Sequence, residues 1–166
     1  MRTIIFYASK YGTTAAVAKE ISEQITLDEQ VEVFDIKDFN LDFIPDFKAV
    51  SRFVLGVPMY AGKPIKAMQK FCNSFSFKLE SKPLYLFVCG SETSPKKQQT
   101  EIEAAFSERL RQAAKETVFL GGAFHWEKMN FMERFIIKRI TGRTGDMEMI
   151  RHKAIKKFAK QISNGV

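Results

Sequence analysis

Hydrophobic positions recur along this chain in two alternating rhythms. Arg2 to Ala8 is a β-branched and aromatic run, short enough for a buried strand. From Thr14 the period changes: Val17, Ala18, Ile21 and Ile25 recur at spacings of three and four, as on one face of a helix. Val31 to Ile36 reads as a second strand and Arg52 to Val57 as a third, expected to stop at Pro58 because proline cannot donate to a ladder. Pro83 to Cys89 and Thr117 to Phe124 read as the fourth and fifth. Helices are predicted over Pro64 to Phe75, with Pro64 in the first turn where a missing N–H costs nothing, and over Gln98 to Lys115 and Met147 to Ile162. Lys37 to Lys48 has no clear period and is expected to be a loop with at most one helical turn.

Strands alternating with helices at this spacing imply right-handed crossovers and a parallel sheet covered on both faces. The predicted fold is therefore α/β, one domain over residues 1–166, with five parallel strands in the order 2-1-3-4-5. In such a sheet a ligand binds beyond the carboxyl ends of the strands, at the switch point beside strand one. The segment 124–145 does not fit the alternation and reads as an insertion after strand five.

The composition, 45% hydrophobic and 27% charged over 166 residues, is that of an ordinary globular protein. No run approaches the roughly 18 apolar residues of a membrane span. Met1-Arg2-Thr3 leads straight into a strand, without signal-peptide anatomy, so a cytoplasmic location is expected. Cys72 and Cys89 then stand as free thiols, and the isolated His125 and His152 offer no metal-ligand cluster.

The loop after strand one reads Ser9-Lys10-Tyr11-Gly12-Thr13-Thr14. Hydroxyls, a glycine and a helix N-terminus converge there, and free N–H groups with the helix dipole attract a phosphate. An ordinary capped helix start would use the same hydroxyls. Neither the nucleoside-triphosphate loop nor the dinucleotide fingerprint is present. The loop resembles the FMN-phosphate motif of the flavodoxins, [ST]-x-T-G-x-T, matched by Ser9, Gly12 and Thr14, with Tyr11 where a threonine is usual. The resemblance extends over nearly the whole chain and implies a flavodoxin-like fold with FMN as cofactor.

Under that resemblance the loops after strands three and four flank the flavin. The first carries Pro58, Met59, Tyr60, Ala61 and Gly62, with Tyr60 the ring-stacking candidate and Gly62 the turn. The second carries Cys89, Gly90 and Ser91, whose backbone would bond the ring edge. It has no aromatic residue where electron-carrier flavodoxins commonly place one. Lys63, Lys96 and Lys97 are expected to set positive charge beside the ring.

The net charge of +7 favours anionic partners, and the insertion concentrates it. Lys128, Arg134, Lys138, Arg139 and Arg143 outnumber Glu127 and Glu133 there. Phe131, Met132, Phe135, Ile136 and Ile140 share one face of a predicted helix. Such a helix suits a membrane surface, a lipophilic substrate or a partner. The run Phe131 to Lys138, followed by Gly142 to Glu148, is similar to the bacterial menaquinone-dependent protoporphyrinogen oxidases. That similarity implies an oxidoreductase passing electrons from a hydrophobic, anionic substrate to a quinone, with peripheral contact at the inner face of the cell membrane. A non-catalytic flavodoxin carrier serving a redox partner protein is the alternative. No catalytic acid or base stands out, and no nucleic-acid motif accompanies the charge. The insertion is expected to recognise the partner and to leave cofactor binding to the phosphate loop.

Overall fold

The computed structural model describes residues 1–25, 28–39 and 46–165, apart from the side chains of Phe47 and Ile140. The loop expected over 37–48 therefore lies partly outside the described residues, as does the Ile140 side chain on the insertion's apolar face. Strands β1 (Arg2–Tyr7), β2 (Gln30–Asp35), β3 (Arg52–Tyr60), β5 (Leu84–Cys89) and β6 (Ala114–Phe119) form a parallel sheet in the order β2-β1-β3-β5-β6. This is the predicted 2-1-3-4-5 order. A short β4 (Lys63–Pro64) folds back antiparallel on the end of β3.

Strand alternation sends side chains to two cores. Ile4, Phe6, Phe53, Leu55, Leu84 and Leu86 face α2 (Lys66–Glu80), α3 (Pro95–Ala105) and α4 (Glu108–Ala113). Ile5, Val54, Tyr85 and Phe87 face α1 (Thr13–Gln24) and α6 (His152–Asn164). On α6, Ile155, Phe158, Ala159 and Ile162 are buried, while Lys153, Lys156, Lys157 and Lys160 stay in solvent. At one end of β3 the guanidinium of buried Arg52 is ion-paired to Glu29 and donates to the Thr3 hydroxyl at 2.8 Å.

Several boundaries differ from the pattern. Strand β3 does not stop at Pro58. The Gly56 carbonyl accepts from the Ala8 N–H at 3.2 Å, and alternation points Pro58 toward the same edge, past the end of β1, so its missing N–H breaks no ladder bond to that strand. Pro64 lies in β4, so α2 begins at Lys66 and runs on to Glu80. The helix expected over 98–115 is two helices, because buried Phe106 is extended and Ser107 caps α4, accepting from the Leu110 N–H at 3.4 Å. The fifth strand ends at Phe119. After Gly121, which has a left-handed φ of 76°, β7 (Ala123–Phe124) leaves the sheet and pairs with β8 (Met147–Glu148), the segment expected to start the last helix.

The insertion is therefore a closed excursion between two paired strands. It holds a 3-10 turn (Trp126–Lys128) and α5 (Phe131–Thr141). Asn130 and Glu133 form a capping box at the start of α5, and Gly142 closes its end with a φ of 68°. Phe131 is 83% exposed and Phe135 55%, so the described part of this apolar face is open to solvent.

Candidate functional site

The carboxyl ends of β1, β3 and β5 deliver three loops to one place. Tyr11, Thr13, Thr14, Pro58, Met59, Tyr60, Cys89, Gly90 and Ser91 line one small pocket together with Gly122 and Phe124. It adjoins a cleft of about 670 Å³ lined by Ala61, Gly62, Glu92, Thr93 and Glu101 on one side. Met129, Ile136, Ile137, Met147 and Met149, from the insertion and the residues just after it, line the other.

Within the first loop the predicted donors play different parts. The buried Ser9 hydroxyl accepts from the Gly12 N–H at 3.0 Å, which shapes the turn. Gly12 takes a φ of 95° before the first turn of α1, a conformation that favours glycine. The Thr13 hydroxyl donates to the Ala123 carbonyl at 3.3 Å and ties the loop to β7. The Thr14 hydroxyl is buried beside the Cys89 thiol, with no well-formed hydrogen bond to it or to any other described group. A buried polar atom left unpaired is costly, and a phosphate oxygen would satisfy it. The Lys10 side chain pairs with Glu133 of α5.

Tyr60 is held by the same loop. Its hydroxyl accepts from the Lys10 N–H at 3.0 Å, and its ring meets the Tyr11 ring edge-on, with centroids 5.5 Å apart. Burial pushes its phenol up to about 12, so it is neutral. The turn after it, Ala61-Gly62, has positive φ at both residues, 48° and 73°, as the tightest hairpins require. Gly62 was expected to make this turn; Ala61 shares it. In the second loop, Gly90 is packed so closely against Gly122 that a Cβ on Gly122 would lie 2.9 Å from the Gly90 carbonyl. Burial also pushes the Cys89 thiol up to about 12, and its side chain belongs to the core beside α1. Cys89 therefore offers its backbone, not a reactive sulfur.

One sequence expectation needs correction. The cleft is not simply positive: Lys97 and Arg143 line it, but so do Glu92, Glu101 and Glu133. Glu92 accepts from the Thr93 and Ser94 N–H groups at 2.9 Å and is held low, chiefly by the Ser94 bond. Burial raises the Glu101 carboxyl. The insertion also touches the phosphate loop. Besides the Lys10–Glu133 pair, the Lys128 ammonium donates to the Tyr11 carbonyl at 3.3 Å. Arg134, one of the insertion's cations, turns back to donate to the Trp126 and Glu127 carbonyls. The sequence reading left Glu101, Gly122, Lys128 and Met129 outside the site. Only the run Gly121-Gly122 after strand five signalled a close approach of loops there.

The flavodoxin domain family matches residues 4–150. The chain belongs to that family. No curated protein matches the flavodoxin-domain chain in sequence. Among solved structures it is similar to flavodoxin 2 from Bacillus cereus, at 16% identity and a TM-score of 0.64, with both chains covered in full at 100%. A Fusobacterium nucleatum flavodoxin bound to flavin mononucleotide matches at 15% identity and a TM-score of 0.54, over 99% of this chain and 98% of its own. Rubredoxin:oxygen oxidoreductase from Desulfovibrio gigas matches at 11% and 0.61, over 99% of this chain but 35% of its own.

FMN is the cofactor that the family binds, and the residues fit it. The orphaned Thr14 hydroxyl, the glycine turn and the open N–H groups of α1 suit a terminal phosphate. Tyr60, Met59 and the backbone at Gly90 and Ser91 border the space in which a flat ring would lie.

Proposed function

We propose that this protein transfers electrons through FMN at the cleft beneath α5. Bound FMN supplies one- and two-electron redox chemistry. The chain's own residues do the rest: Ser9, Gly12 and Thr14 shape and line the phosphate end, Tyr60 stacks on the ring, and Gly90 and Ser91 bond its edge. The carrying observation is the convergence of those three loops on one pocket at the carboxyl edge of the sheet.

Carriage of electrons between protein partners has the broader support, since flavodoxins dominate the similar structures. One feature favours an enzymatic form. The wall facing the flavin loops is apolar, from Met129, Ile136, Ile137, Met147 and Met149, and residues 89–94 bring no aromatic ring. That suits a lipophilic, anionic substrate of the porphyrinogen kind, with a quinone as acceptor. In this form the exposed Phe131, Met132 and Phe135, with Lys138 and Arg139, would rest on the inner face of the cell membrane.

Steady-state assays separate the two. Turnover of a porphyrinogen with a menaquinone analogue supports the enzyme. Relay of electrons from a flavodoxin reductase to a protein acceptor, without that turnover, supports the carrier. Failure of both overturns electron transfer as the role.

A further inference from the structure

We infer that Lys128, from the insertion, is the cation that meets the FMN phosphate. The inference rests on FMN being the cofactor and adds a residue outside the phosphate loop. A phosphate monoester carries close to two negative charges at neutral pH, and a helix N-terminus offers only about half a positive charge. The loop's own lysine does not fill the gap, because Lys10 is paired with Glu133. Lys128 reaches the same helix start. Its ammonium is 3.9 Å from the position a Cβ on Gly12 would occupy, beside the start of α1. Among the described residues its polar partner is the Tyr11 carbonyl at 3.3 Å, and it has no carboxylate partner there. A single exposed bond to a neutral oxygen leaves the ammonium free to turn to a phosphate oxygen, which makes a stronger, charge-assisted bond.

The unpaired Thr14 hydroxyl supports the same placement independently. It lies in the first turn of α1, two residues past Gly12, so a phosphate that satisfies it sits at the same helix start. Lys128 and the phosphate loop are 114 residues apart at their nearest point in sequence, counted from Lys128 to Thr14. Cofactor and insertion then hold one another: FMN adds a contact that the insertion alone supplies, and displacement of the insertion removes a phosphate ligand.

The test compares FMN with riboflavin, which lacks the phosphate, by quenching of flavin fluorescence on the apoprotein. Lys128→Gln should weaken FMN about tenfold, the scale of one charge-assisted bond, and leave riboflavin unchanged. Lys128→Arg should retain most of the FMN affinity. The difference between wild type and Lys128→Gln should shrink at 1 M salt, where exposed charges are screened within about 3 Å. Lys153→Gln, on the solvent side of α6, should alter neither flavin. Equal losses for FMN and riboflavin would mean that Lys128 only supports the wall, and no loss for either would also overturn the inference. A wild-type protein that binds no FMN would instead overturn the cofactor assignment, before any variant is compared.

Discussion

Lys10, in the loop after the first strand, is ion-paired to Glu133, which lies 123 residues later on the insertion helix. Glu133 lines the cleft, so the pair ties the phosphate loop to the cleft wall. Burial pushes the Glu133 carboxyl up, but the Lys10 ammonium, the nearby Tyr11 hydroxyl and the Asn130 N–H outweigh it and hold the group at about 2. Its folded value is thus below its ordinary 4.5. The contact is complete above the ordinary value and is lost as pH falls through about 2.

Glu133→Gln should therefore loosen the insertion without unfolding the sheet. Lys10 is half exposed, so the change in global stability should stay within about 1 kcal/mol. Hydrogen exchange over residues 126–141 should quicken at neutral pH in the variant, and in the wild type only at strongly acidic pH. Unchanged exchange in the variant would show that the capping box and the β7–β8 pairing hold α5 by themselves.

The Thr14 hydroxyl gives a second prediction. Thr14→Val keeps the shape and removes a buried, unpaired polar group. The apoprotein should be as stable as wild type or more so, by up to about 1 kcal/mol in thermal unfolding. FMN affinity should fall by about tenfold, the value of one hydrogen bond to a charged group. Loss of apoprotein stability would mean that the hydroxyl has a structural partner.

Sheet order and the loops that reach the site were legible in the sequence, because both follow from periodicity and from the rule that ligands bind beyond strand ends. Ile4 and Ile5 fall in opposite cores as strand alternation requires. Boundaries were not legible where tertiary context overrides a local rule. Pro58 sits inside a strand because its neighbour ends first, and Phe106 breaks a helix because burying its ring prevails over helical continuity. The insertion's contribution was hidden for a different reason. Nothing local marks Glu133 or Lys128 as partners of residues more than a hundred positions earlier.

Ala61 carries a left-handed φ of 48° in the turn beside the flavin pocket. Asparagine tolerates that region better than alanine. Ala61→Asn should raise stability by about 0.5–1 kcal/mol, read as a higher Tm with FMN affinity little changed. A lower Tm would mean that the methyl group is packed rather than strained.

The open face of α5 makes a prediction about surfaces. Replacing Phe131 and Phe135 by serine should leave the Tm and FMN binding unchanged, since both rings lie mostly in solvent. If α5 meets lipid, the double variant should sediment less with anionic vesicles, and wild-type binding should weaken with salt. Equal sedimentation of both proteins would remove the membrane from the proposal and leave a protein partner.

The pocket where β1, β3 and β5 end is the place assigned to FMN. Extraction of the cofactor from freshly purified protein tests that assignment most directly, with the released flavin quantified by chromatography against the protein. FMN should be released, at close to one per chain after reconstitution, and little of it from a Gly12→Val variant, whose side chain cannot accept the φ of 95°. FAD as the bound flavin, or a protein that takes up no flavin at all, would contradict it.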